Sequence, residues 1–249
     1  MTKSEIQLVR SLGEKKTRNE MRLFVAEGDK FIRELIASPL RIYKVYQREE
    51  SAGEVSFDGA NIELVSGKEM ERITQLKSAN SSLALVEMPS YTFDTERLRG
   101  RLTLLLDGVQ NPGNLGTIIR LAEWFGVEDV ICSPTSADCF NPKVVQATMG
   151  AILRVRVHYL SLPEVVRAAQ EMAIPIYGAD LEGESIYRSK LGNEALLVMG
   201  SEGSGLSPEV EAMVTNKVFI PPYPTDAAGS ESLNVAVATA IICSEFRRG

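Results

Sequence analysis

The residues of this chain best placed to do chemistry are asparagine, serine, glutamate and one arginine. They gather in three glycine-punctuated or small-residue stretches: QNPGNLGTIIR (110–120), MGSEGSGLS (199–207) and ESLNVAVATAII (231–242). The first two directly follow apolar, strand-like runs, LTLLLD (102–107) and ALLVMG (195–200). Loops at the carboxyl ends of strands in an open α/β sheet are where ligands sit. Two such loops, rich in Gly, Asn and Ser, suggest backbone amides gathered around a flat polar ligand. The third stretch puts Ser232 and Asn234 at the start of a small-residue helix, where capping side chains and free N–H groups meet.

Within the first loop, Pro112 and Gly113 predict a tight turn, and Asn114 and Gly116 tolerate the backbone angles it needs. Thr117 is the expected cap of the helix that carries Arg120, which would then lie near the helix start, about one turn from the loop. A guanidinium there can fork onto a phosphate; the ordinary alternative is a salt bridge to a neighbouring acid. Glu202, set between glycines, either binds a ligand hydroxyl or orients a basic residue.

Familiar chemistries fail on these residues. MGSEGSGLS lacks the Gly-Lys-Ser/Thr ending of a P-loop, and QNPGNLG does not fit G-x-G-x-x-G. His158, the only histidine, sits in a strand pattern (RVRVHYL) away from all three loops, which argues against a Ser-His-Asp triad. Cys132, Cys139 and Cys243 are not spaced as metal ligands and read as reduced thiols of a cytoplasmic protein, so no metal is expected. The opening residues lack the apolar stretch of a secretory signal, and AVATAIIC (236–243) is too short to span a bilayer. The net charge of −6 alone argues against nucleic acid, but residues 1–48 carry +5 and the remainder −11. That asymmetry is what a basic face for a polyanion beside an acidic body would give, and equally what a solvated helix surface would give.

The elements that must position these loops follow from periodicity. SEIQLVRSL and DKFIRELIA have helical spacing, GEKKTRNEMR (13–22) is charged and turn-like, and LFVAEG, RIYKVY, NIELV and SLALVEM are strand candidates, with a helix at KEMERITQL. A small α/β domain is therefore expected over 1–90, an interdomain linker over 91–101 within the polar stretch PSYTFDTERLRGR, and a second domain over 102–249. From residue 102 strands and helices alternate, which implies βαβ units and a mainly parallel sheet.

The three motifs N-P-G-N-L-G-T-I-I-R, G-S-E-G-x-G-L-S and E-S-L-N-V-A-V-A, in this order and spacing, resemble the SpoU (TrmH-type) RNA ribose methyltransferases of the SPOUT superfamily. The resemblance covers roughly the last 150 residues, and KKTRNEMRLFVAEGDKFIREL more loosely resembles the substrate-binding domain often fused ahead of that catalytic domain. It implies a mainly parallel α/β sheet with a trefoil knot, an exception to unknotted topology, and a homodimer with the site near the interface. It implies S-adenosylmethionine as cofactor and a ribose 2′-OH as methyl acceptor. Asn114, Arg120, Glu202, Ser232 and Asn234 match the family's active-site positions. Arg120 would bind the target phosphate and activate the hydroxyl electrostatically, because an arginine is effectively always protonated. Ser232 and Asn234 would orient Arg120 and the ribose. Met199, Gly200, Gly203, Ile220, Pro221 and Leu233 would hold the cofactor, and Ile220 and Leu233 could equally be core. Lys15, Lys16, Arg18 and Arg22 are candidate phosphate contacts, with ribosomal RNA favoured over tRNA. A non-catalytic RNA-binding or assembly protein is the alternative function.

Overall fold

The computed structural model describes residues 1–52, 57, 59–223 and 232–248. The chain divides into two compact units: residues 1–90 with 138–153, and residues 91–137 with 154–249.

The first unit is a four-stranded sheet with helices on it. The helices are α1 (Lys3–Ser11), α2 (Lys15–Met21), α3 (Asp29–Ile36), α4 (Gly67–Ile73) and, from later in the chain, α6 (Pro142–Thr148). The strands β1 (Leu23–Glu27), β2 (Ile42–Arg48), β3 (Ile62–Val65) and β4 (Ser82–Glu87) run in the order β1-β4-β2-β3, with only β2 and β3 parallel. Ile6, Val9 and Leu12 of the first helical segment meet Met70 and Ile73 of α4 over Val25, Tyr46, Leu83 and Leu85, as their spacing requires. Capping boxes start both helices: Thr2 with Glu5, and Ser66 with Glu69.

Residues 13–22 correct the sequence expectation. Lys15–Met21 among them form α2, closed by Arg22 in the left-handed region at φ 55°. The missing signal was apolar: the one buried side chain of α2 is Arg18. It is 1% exposed, donates to the carbonyls of Leu12 (2.7 Å) and Gly13 (2.8 Å), and pairs with Asp138 at 2.5 Å.

The second unit is a six-stranded sheet, parallel throughout, in the order β10-β8-β9-β5-β6-β7. Its strands are β5 (Leu102–Leu106), β6 (Asp129–Cys132), β7 (Arg156–Tyr159), β8 (Ile176–Ser185), β9 (Ala195–Met199) and β10 (Asn216–Phe219). Its helices are α5 (Pro112–Trp124), α7 (Leu162–Glu171), the single turn α8 (Pro208–Glu211) and α9 (Val235–Phe246). β5 and β9 are buried at every residue, which is why they read as unbroken apolar runs. α7 covers Leu105, Ile131, Leu196 and Val198 on one face, and α5 packs on α9. The polar stretch before β5 holds a short 3-10 turn (Thr95–Leu98) whose Leu98 is fully buried in that core. His158 is buried with its Nε2 2.9 Å from Asp129 Oδ1, and Phe93 meets its ring edge-on at 5.1 Å.

Candidate active site

At the carboxyl end of β5, Gly108 turns the chain with φ 69°, and its N–H donates to Ser133 Oγ at 2.9 Å. Asp107 Oδ2 accepts from the Ser207 N–H at 2.8 Å, tying this loop to the one after β9. Asn111 then caps α5, its Oδ1 accepting from the N–H groups of Gly113 (2.8 Å) and Asn114 (3.2 Å). Pro112 fills the first turn, where no intrahelical donor is needed. The cap expected of Thr117 is corrected, because its hydroxyl lies inside α5 and donates to Gly113 O at 2.8 Å. Arg120 is correspondingly in the third turn of α5 instead of near its start. It is exposed and makes no ion pair or hydrogen bond with another described residue.

The loop after β9 is held by its own backbone. Ser201 and Gly205 exchange N–H···O bonds of 2.9 and 3.0 Å, and Gly205 takes φ 67°. Glu202 stands at its tip, exposed. Asn234 caps α9, its Oδ1 accepting from Ala236 N (3.0 Å) and Val237 N (3.3 Å).

These three loops converge on one hydrogen-bonded triad. Asn114 Nδ2 donates to Glu202 Oε1 at 2.5 Å, and Asn234 Nδ2 donates to the same oxygen at 2.8 Å and to Asn114 Oδ1 at 3.0 Å. An amide offers two N–H donors and two acceptor lone pairs. Asn234 spends all four, so its orientation is fixed. Asn114 keeps one N–H and one lone pair, and Glu202 keeps Oε2. The structure thus brings Asn114, Glu202 and Asn234 together, but Ser232 and Asn234 make no hydrogen bond with Arg120.

Beside the triad lies a cleft of about 610 Å³ lined by Met199, Gly200, Gly203, Ile220, Ser232 and Leu233 among others. Pro221 follows this wall without lining it. Leu233 is 49% exposed, which removes the core reading for that residue. Sequence reading missed the wall from the middle of β8 (179–182) and the α9 residues Val235, Ala238 and Ile242. The signal at β8 was hidden, since IYGADLEGES reads as a strand running into polar loop. Gly200 has a sharp reason: a Cβ there would lie 2.3 Å from the backbone carbon of Gly205.

The titratable side chains on the cleft wall are four carboxylates, Asp180, Glu182, Glu202 and Glu211, and no described basic side chain joins them. Lys217 pairs with Asp180 at 2.6 Å and with Glu211 at 2.7 Å. Its ammonium, with the Glu182 N–H, holds the Asp180 carboxyl below the usual range, and the two acids raise the lysine. The remaining acidity, the apolar walls and the exposed glycine backbone suit a cationic ligand with a flat polar group, and S-adenosylmethionine fits that description.

Among the four basic candidates of the first unit, Arg18 is corrected: its guanidinium is buried against Asp138 and two carbonyls and is closed to a phosphate. Lys15 and Lys16 are exposed, as is Arg22, whose Nη2 donates to Met88 O at 3.3 Å.

The sequence profile of the SpoU rRNA methylase family matches residues 101–244. The chain belongs to the SpoU rRNA methylase family. In this SpoU protein, residues 3–84 also match an MRM3-like substrate binding domain. It is 28% identical, over 96% of this chain and 94% of the other, to the 23S rRNA (guanosine(2553)-2′-O)-methyltransferase RlmP of Bacillus subtilis. It is similar in structure to a TrmH-family protein from Porphyromonas gingivalis, with a TM-score of 0.88 and 38% identity over 100% of this chain and 99% of that one. An AdoMet-bound rRNA methyltransferase from Sinorhizobium meliloti gives a TM-score of 0.85 and 27% identity, covering 100% of this chain and 95% of the other.

Proposed function

We propose that this SpoU protein transfers a methyl group from S-adenosylmethionine to a ribose 2′-OH of ribosomal RNA in the cytoplasm. The observation that carries the proposal is the Asn114–Glu202–Asn234 triad, drawn from three separate loops and set beside a cleft walled by acids and glycine backbone. Met199, Gly200, Gly203, Ile220 and Leu233 hold the cofactor, and Pro221 shapes the wall. When bound, the cofactor supplies an activated methyl on a positively charged sulfur. Asn114 and Asn234 fix the Glu202 carboxylate, and Ser232 faces the same cleft. Arg120, uncommitted within the described chain, holds the phosphate of the target nucleotide and stabilises charge developing on the 2′-oxygen. Lys15, Lys16 and Arg22 contact RNA phosphates from the substrate-binding domain, over residues 1–90, with 91–101 as the connection to the catalytic domain.

The protein acts as a homodimer. Trp124 (82% exposed), Leu233 (49%) and Val237 (49%) sit on or beside α5 and α9, which are apolar enough to pair with a second copy. The trefoil knot belongs to the same reading. The test incubates purified protein with methyl-labelled S-adenosylmethionine and ribosomal RNA or tRNA from cells lacking the gene. Label mapped to a 2′-O-methyl in ribosomal RNA is the expected result. Label in tRNA alone overturns the substrate, and RNA binding without transfer to any RNA overturns the enzyme.

A further inference from the structure

We infer that Lys217 is a positioning residue for the cofactor cleft, its ammonium pinning an excursion of β8 to α8 so that both keep the cleft's shape. This rests on the proposed use of S-adenosylmethionine. β8 follows β9 only as far as the Gly178–Val198 pair. Along β10 the register jumps at the same place: Lys217 lies opposite Gly178, while the next residue, Val218, lies opposite Glu184. Residues 179–183 are therefore extruded opposite a single peptide bond, with no partner in register on either neighbouring strand. The excursion closes flush against that bond, because a Cβ on Gly183 would lie 2.6 Å from both Lys217 C and Val218 N. Ala179, Asp180, Leu181 and Glu182, all extruded, line the cleft.

A segment that leaves both ladders needs another anchor, and Asp180 supplies it. Its Oδ1 accepts from the Glu182 N–H at 2.9 Å, which folds the excursion on itself, and its Oδ2 takes the Lys217 ammonium at 2.6 Å. The same ammonium reaches Glu211 Oε1 on α8 at 2.7 Å. Asp180 and Glu211 both line the cleft and Lys217 does not, so the lysine acts on the ligand through the walls it joins. Charge and position predict opposite effects of removing this ammonium. S-adenosylmethionine bears a net positive charge, from a sulfonium and an ammonium against one carboxylate. Taking a cation from beside the cleft and leaving two bare carboxylates would strengthen its binding if charge alone mattered. If Lys217 holds the walls, the freed excursion must be ordered again at each binding event, and binding weakens.

The experiment titrates the full chain with S-adenosylmethionine by calorimetry. It compares wild type with Lys217→Met, Lys217→Arg, Asp180→Asn and the Lys217→Met, Asp180→Asn double variant, and records the melting temperature of each. Methylation kcat and cofactor KM are measured on ribosomal RNA from cells lacking the gene. Lys217→Met is expected to bind about tenfold more weakly, through the loss of two partly exposed ion pairs. Its KM should rise in step, while kcat at saturating cofactor stays within about threefold of wild type. Lys217→Arg, which keeps the charge and can donate to both acids, should restore binding to within about threefold. The double variant should bind no worse than Lys217→Met, because both changes cut the same tie. Equal or tighter binding in Lys217→Met overturns the positioning role, as do losses that multiply in the double variant. A fall in kcat at saturating cofactor with unchanged Kd overturns it too. Wild type that binds no S-adenosylmethionine refutes the underlying reading instead, so the two failures are separable.

Discussion

Replacing Gly200 by alanine tests whether the geometry of the loop after β9 sets cofactor affinity. A Cβ at this position would lie 2.3 Å from Gly205 C, 2.5 Å from Gly205 O and 2.6 Å from Leu206 N, all backbone atoms. No side-chain rotation relieves such contacts, so the loop must open by about 1 Å or more to reach ordinary van der Waals separation. Opening it breaks the two bonds between Ser201 and Gly205, of 2.9 and 3.0 Å. At about 1 kcal/mol net for each hydrogen bond, the cost is about 2 kcal/mol. Because the strain is confined to a surface loop, it should appear in cofactor binding more than in global stability. About 2 kcal/mol corresponds to roughly 30-fold weaker binding. The assay is calorimetric titration with S-adenosylmethionine, with Gly203→Ala as the comparison, since a Cβ at Gly203 meets nothing within 4 Å. Gly203→Ala should bind within about threefold of wild type. Wild-type affinity in Gly200→Ala, or equal losses in both variants, would refute the reasoning.

Asp138→Ala strips the buried Arg18 guanidinium of its carboxylate and leaves it only the two carbonyls. It should cost about 3–5 kcal/mol in urea unfolding, and an unfolding midpoint equal to wild type would contradict the burial. Burial holds the Glu27 carboxyl above the ordinary glutamate range, against the donors Thr74 and Gln75. The folded state therefore binds that proton more tightly than the unfolded chain. Its stabilising contribution is full below the unfolded pKa and lost as pH rises through the folded one. The urea midpoint of wild type should accordingly fall relative to Glu27→Gln as pH is raised from about 4 toward neutrality; parallel curves would rule this out. Arg120→Ala should retain cofactor affinity in calorimetry while losing about 100-fold or more in methylation rate, and undiminished transfer would remove Arg120 from the mechanism.

The sequence by itself determined the strands of the second unit and the loops that leave them. Buried parallel strands such as 102–106 and 195–199 must be apolar at every position, and the turns that follow need Gly, Asn and Pro for reasons local to the backbone. It also marked Asn114, Glu202 and Asn234, through three motifs whose order and spacing are specific. What it could not determine was their joining. The Glu202–Asn114 and Asn234–Asn114 bonds span 88 and 120 residues; the β5–β9 pairing brings the first two loop ends side by side, and the packing of α9 on α5 brings in Asn234. Pairing at that range leaves no periodic trace in one sequence. The same limit explains the errors. Arg18 reads as a surface cation because its partner Asp138 lies 120 residues away, and α2 reads as a turn because the residue it buries is charged. Thr117 looks like a cap only until the helix is seen to begin at Pro112. Asn and Thr both favour caps locally, and the fit of Asn111 to the end of β5 decides between them.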